Sequence, residues 1–192
     1  MKKFTFTLLY FFLAVASLSA QKLNIYKSDG TIINIPLNSI DSITFSGEIP
    51  ATSDILMNEI YSRGTAEDPD WIEIYNKSDA PVDISGYKIY DIGGLSGAKP
   101  KKEFPAGSVI PAHGFYAIVT DKTGDPSDFG LSANGEEIWL EDPNGVVIDN
   151  FIFPALEETQ SYGRQPDGTA NFFIFIEITK GSSNNNAGTL GK

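Results

Sequence analysis

An all-β sandwich is the fold that this sequence predicts. Apolar residues recur with a period of two rather than 3.6, as in Ile40-Asp41-Ser42-Ile43-Thr44-Phe45 and Trp71-Ile72-Glu73-Ile74-Tyr75. From Ile55 onward, about seven short runs of this kind are separated by Gly- and Pro-containing turn signals. No amphipathic helical pattern follows the first twenty residues.

Residues 1–20 read as a secretory signal peptide: Lys2-Lys3, an apolar run from Phe4 to Val15, then small residues up to Ser19-Ala20. The run falls short of the roughly 20 residues that a bilayer span needs, although a retained membrane anchor is the rival reading. Residues 21–49 form a short N-terminal β segment and linker. Leu23–Tyr26 and Ile32–Leu37 flank the turn signal Ser28-Asp29-Gly30, and Ile40–Phe45 is a third run. Gly47 to Ser53, with Pro50, reads as a linker. The main domain is assigned to residues 50–184. Its strand candidates are Ile55–Tyr61, Trp71–Asn76, Tyr87–Asp91, Phe115–Thr120, Glu137–Glu141, Val146–Phe153 and Phe172–Thr179. Asp142-Pro143-Asn144-Gly145 is a strong hairpin turn between the fifth and sixth of these. Alternation turns Ile72 and Ile74 toward the core and puts Trp71, Glu73 and Tyr75 on the opposite face. The chain is polar from Gly181, with Asn184-Asn185-Asn186, and residues 185–192 are read as a frayed, flexible tail.

Composition narrows the function classes. Without the leader, 12 Lys+Arg face 25 Asp+Glu, a balance of −13. Such a surface repels phosphate backbones and anionic lipid, so neither nucleic acid nor a membrane surface is expected as a partner. No apolar stretch after the leader reaches membrane length. The chain has no cysteine, which excludes disulfides, thiolate metal sites and a cysteine nucleophile. Folding then rests on the core, and a chain of this size buries roughly 70% of its unfolded surface.

Several motifs carry a family resemblance. Ile55-Leu56-Met57-Asn58-Glu59-Ile60 and Asp70–Asn76 resemble the opening of the lamin tail domain in its bacterial form. The blocks Asn76–Tyr87, Phe104-Pro105-Ala106-Gly107, Ile110–Gly114, Leu131–Glu136, Ser161-Tyr162-Gly163-Arg164 and Pro166-Asp167-Gly168 continue it in order. Thr179–Asn184 is similar to the family's closing motif, with Lys180 where proline is usual. The resemblance covers about residues 54–184. It implies an immunoglobulin-like β-sandwich that serves as an interaction module. Filament assembly of the kind nuclear lamins perform is not implied, because the chain lacks a heptad region, nor is DNA binding, which needs a basic surface. Residues 22–46 resemble a short segment common at the start of mature bacterial surface proteins.

Candidate chemistry is sparse. His113, the only histidine, sits in the turn Pro111-Ala112-His113-Gly114, and no Gly-x-Ser-x-Gly elbow accompanies it, so it reads as a solvated turn residue. Glu59 and Glu73 lie in the first two sandwich strands. If those strands pair, two carboxylates come close enough for acid/base work or for holding a cation; otherwise they face solvent or bond backbone groups and hydroxyls. Glu67-Asp68-Pro69-Asp70, Glu136-Glu137 and Glu141-Asp142 are acidic loops without calcium-loop spacing. Lys99, Lys101 and Lys102 form a basic cluster that reads as solubilising. Phe172–Ile176 is apolar on both faces and needs cover, which we expect from residues 22–46. Trp71 with Tyr75 either forms an exposed aromatic face for a sugar or protein, or packs beneath a loop. Asn76-Lys77-Ser78 matches a glycosylation acceptor that carries little meaning in a bacterial exported protein.

These readings assign no catalytic, cofactor-binding or metal-ligating residue. They lead to the expectation of an exported, non-catalytic module, periplasmic, on the cell surface or secreted, that binds protein or glycan. The alternatives are a secreted hydrolase or calcium-assisted enzyme using acidic loop residues, and a structural component of a surface assembly.

Overall fold

The computed structural model describes residues 22–26, 30–39 and 53–190. The leader, Ser28-Asp29 of the first turn, the Ile40–Phe45 run and most of the linker up to Ser53 lie outside the described residues. The chain divides into two compact units, Met1–Gly47 and Glu48–Lys192.

The first unit contains an antiparallel hairpin of β1 (Lys22–Tyr26) and β2 (Ile32–Pro36), in a register that places Lys22 opposite Pro36 and Tyr26 opposite Ile32. Gly30 in its connection has φ +82°, the left-handed region that a tight hairpin turn uses. A 3-10 turn, Leu37–Ser39, follows.

The second unit is a sandwich of a five-stranded and a four-stranded antiparallel sheet, with a two-stranded ladder beside them. In chain order the strands are β3 (Ile55–Tyr61), β4 (Trp71–Asn76), β5 (Val82–Asp83), β6 (Lys88–Tyr90), β7 (Lys102–Glu103), β8 (Val109–Ile110), β9 (Phe115–Val119), β10 (Gly135–Glu141), β11 (Val147–Pro154), β12 (Ser161–Arg164) and β13 (Phe172–Phe175). The sheets run β13-β12-β3-β4-β9 and β11-β10-β6-β7, and β5 pairs with β8. Met57, Ile60, Ile72 and Ile74 from the larger sheet and Ile89, Ile138, Leu140, Phe151 and Phe153 from the smaller share one buried cluster, so the two inner faces form a single core. Ile72 and Ile74 point inward as the alternation requires.

Several elements differ from the sequence expectation. β12 went unread because Ser161-Tyr162-Gly163-Arg164 offers one apolar residue and a glycine, yet it pairs with both β3 and β13. The two-residue strands β5, β7 and β8 fall in stretches read as connections, too short for a periodic signal. One helical turn, α1 (Ile92–Leu95), follows β6, with the Asp91 carboxylate accepting from the Gly94 amide at its start. The expected strand Phe172–Thr179 ends at Phe175, where the chain turns back along the sheet.

That turn reorganises the end of the chain. Residues 181–190, read as a fraying tail, are hydrogen-bonded in place. Asn184–Asn186 form a 3-10 turn capped by Ser183, Thr189 bridges to Phe175, and the Leu190 amide donates to the Ile174 carbonyl at 2.8 Å. Phe175, on the outer face of its sheet, is fully buried, and residues 188–190 pair alongside it. A polar segment can be held this firmly because its amides, hydroxyls and carboxamides meet acceptors on the sheet.

Candidate functional site

Glu59 and Glu73 are direct cross-strand partners on β3 and β4, and both are 0% exposed. A bulge makes this possible: the register shifts between Met57 and Glu59, so Asn58 is the extra residue. Met57 and Ile60 then both face the core while Glu59 turns outward with Glu73. Gly163 of β12 flanks Glu59, and Ala117 of β9 flanks Glu73. Small neighbours leave space above the pair. Residues 176–190 occupy that space, and we call this segment the strap.

The carboxylates hold the strap directly. Ser161 Oγ donates to Glu59 Oε1 at 2.5 Å, the Thr179 amide to the same oxygen at 3.1 Å, and Thr179 Oγ1 to Oε2 at 2.8 Å. The Gly181 amide donates to Glu73 Oε2 at 2.5 Å, whereas Glu73 Oε1 has no hydrogen-bond partner. Burial pushes the Glu73 carboxyl up to about 8; the Gly181 amide opposes this and the charge of Glu59 adds to it. Burial also raises Glu59, against the hydroxyls of Ser161 and Thr179. Asn184, 0% exposed, locks the far end: Nδ2 donates to the carbonyls of Asn58 (3.2 Å) and Arg164 (3.1 Å), and its amide donates to Asp167 Oδ1 at 2.9 Å. Thr179 Oγ1 lies 2.5 Å from Asn184 Oδ1. The acid pair therefore takes the backbone-and-hydroxyl role that the sequence left open, sealed beneath a strap, with no open face for a substrate. Among the described residues no group of three or more His, Asp or Glu side chains is placed to hold a metal ion.

Below the pair, Arg164 ties the layers together. Nε donates to the Met57 carbonyl (2.7 Å), Nη1 to the Thr169 carbonyl (2.6 Å) and Nη2 to Asp149 Oδ1 (2.9 Å), while the Met57 amide donates to Asp149 Oδ2 at 2.8 Å. Sequence reasoning missed this pair because its members lie on different sheets.

The other candidates are dispersed. His113 takes φ +52°, and its ring Nε2 lies 2.9 Å from Asp79 Oδ1 on the surface, away from both glutamates in sequence and partners. A cleft of about 570 Å³ beside Tyr61 is lined in part by Arg63, Asp70 and Glu158. Its charges are satisfied internally: Asp70 accepts the amides of Gly64 and Leu131, and Arg63 lies 3.5 Å from Glu158. Asp142 caps its own hairpin turn through the amides of Asn144 and Val146. Glu136 accepts the Ser132 amide at 2.5 Å. The lysine cluster divides, with Lys101 on Glu141 and Lys102 on Asp128 at 2.5 Å. The Asn76 carboxamide is buried and donates to the carbonyls of Ala80, Ile110 and Pro111, which removes it as a glycan acceptor.

Of the two readings of Trp71, the packed one holds. Trp71 is 0% exposed, stacked on Tyr61 at 6.0 Å with the Lys180 ammonium 5.2 Å from its ring, so it packs beneath the strap. On the outer face of the four-stranded sheet, a row runs from Tyr90 through Trp139 to Asn150. Tyr90 is itself buried, 1% exposed, and the half-buried Trp139 stacks on it at 6.0 Å with 14° between ring planes. Lys101 sits 4.1 Å from the Tyr90 ring, Tyr90 Oη donates to Glu141 at 3.0 Å, and Asn150 Nδ2 donates to Glu137 Oε1 at 2.7 Å. Ile152, opposite Glu137, is 67% exposed. Within Glu137–Glu141, the inward turn of Ile138 and Leu140 was the signal that puts Trp139 outward.

The family model of the Lamin Tail Domain matches residues 48–153, more than half of the chain and all of β3 to β10. No curated protein matches the chain. The bulged first strand, the sandwich core and this match agree, and the chain belongs to the lamin tail domain family, whose immunoglobulin-like fold is in general a non-catalytic interaction module.

Proposed function

We propose that this is an exported, non-catalytic binding module that engages a protein or glycan at the bacterial surface or outside the cell, through the outer face of its four-stranded sheet. The observation that carries the reading is the partly exposed Trp139 and Asn150 on that face, with Ile152 beside them. The half-exposed Trp139 ring, backed by the buried Tyr90 and set beside the Asn150 carboxamide, the Glu137 carboxylate and the exposed Ile152, is suited to a sugar ring or to a partner's mixed surface. The buried state of Glu59 and Glu73 lends no support to a hydrolase built on them. Export rests on the charged and apolar leader pattern of residues 1–20. Among the described residues no helix is long and apolar enough to cross a membrane.

The test is capture from native surface extract and binding to a glycan panel, with the parent chain and Trp139→Ala side by side. A ligand retained by the parent and lost at least tenfold in Trp139→Ala supports the assignment. Equal retention by both would remove this face from consideration, and turnover of an ester or glycoside substrate would replace the reading with an enzymatic one.

A further inference from the structure

Two ionisable groups sit where the fold has no need of charge. Glu59 and Glu73 face each other across β3 and β4, wholly out of water, and three of their four oxygens accept hydrogen bonds, each of the three from the strap. The fourth oxygen, Glu73 Oε1, has nothing to bond. Two facing carboxylates without a counter-ion repel, and one retained proton relieves the repulsion. The Asn58 carboxamide on the bulge opposes the rise at Glu73, and the surroundings offer little other relief. The flanking strands contribute Gly163 and Ala117, and the loop after β12 contributes Asp167, whose charge adds to the repulsion. The strap's cation, Lys180, is directed to the Trp71 ring and to Asp68 at 3.5 Å.

We propose that residues 176–190 form a proton-dependent strap: the segment stays docked while the Glu59–Glu73 pair retains a proton, and it lifts more readily once that proton is lost. Lifting hydrates both carboxyls and uncovers Trp71 and Phe175, both fully buried while the strap is docked. The direction follows from linkage. In the lifted state Glu73 titrates near its ordinary 4.5, whereas in the docked state burial holds its proton until about 8. Between those values the lifted state binds fewer protons, so its population rises with pH, by up to about tenfold per unit, and levels off above the upper value.

Hydrogen exchange of the full chain at pH 6, 7 and 8, corrected for intrinsic amide rates, reads this directly. The amides of Thr179, Gly181 and Asn184 are expected to be at least tenfold less protected than those of the β10–β11 hairpin, since they open locally. Their protection is expected to fall at least tenfold from pH 6 to pH 8. Glu73→Gln keeps an acceptor for the Gly181 amide without the charge, and it is expected to flatten that fall to less than threefold. Glu59→Gln removes the facing charge and is expected to shrink the fall at least threefold, so the test survives if one variant fails to fold. Strap amides as protected as the hairpin, a pH-independent strap, or the same fall in both variants would each overturn the proposal.

Discussion

Asn184 is the side chain on which docking of the strap depends most, and Asn184→Ala is the substitution we would make first. Its Nδ2 satisfies two carbonyls, those of Asn58 and Arg164, in a place without water, and its Oδ1 meets the Thr179 hydroxyl. Alanine removes these contacts and leaves two buried acceptors unpaired. Each such group costs about 1–3 kcal/mol, so the loss should be about 3 kcal/mol in total. For a domain of this size, that corresponds to a fall in Tm of roughly 10 °C. Urea unfolding at pH 6 followed by Trp fluorescence, together with calorimetry, would measure it. Asn185→Ala is the control. Its side chain accepts one exposed bond from the Asp167 amide, and its loss should stay below about 1 kcal/mol. If Asn184→Ala cost no more than Asn185→Ala, the hydrogen bonds assigned to the buried amide would not be holding the strap, and the reasoning would fail.

Other consequences are testable on the same chain. Trp71→Ala should cost about 3–5 kcal/mol in urea unfolding and Trp139→Ala less than about 2, because only the former is fully enclosed; equal costs would contradict the assigned faces. Arg164→Lys cannot serve the Met57 and Thr169 carbonyls and Asp149 together. A loss of about 2–3 kcal/mol is expected, and a neutral result would show that this inter-layer bridge is dispensable. Burial opposes ionisation of Asp128, but bonds from Lys102 and Thr123 outweigh it and hold its carboxyl down to about 2. The folded value is depressed, so the stability it supplies is present above pH 4 and disappears as pH falls toward 2, by about 2 kcal/mol. Asp128→Asn should flatten that acid limb of the stability profile, and an unchanged slope would assign the acid sensitivity to other groups.

Much of the larger unit is legible in local pattern. The inward turn of Ile72 and Ile74, the hairpin at Asp142–Gly145 and the existence of β3, β4, β9, β10 and β11 follow from alternation and turn chemistry that neighbouring residues share. Where the sequence named Glu59 and Glu73 it could not say whether they meet, because their pairing depends on a bulge at Asn58 that shifts every later residue of β3 to the other face. It likewise left open whether Trp71 lies exposed or beneath a loop, and only the folded chain places it under the strap.

Those decisions belong to the tertiary structure. Alternation along a strand identifies which residues share a face and is silent on whether that face is wet. On β4 the outer face is dry because a polar segment more than a hundred residues away finds its acceptors there. Hydrophobic period is a property of neighbours in sequence. The partners of Glu73, Asn184 and Arg164 are set by which backbone groups remain unpaired once the sheets have formed, and only the folded chain brings those together.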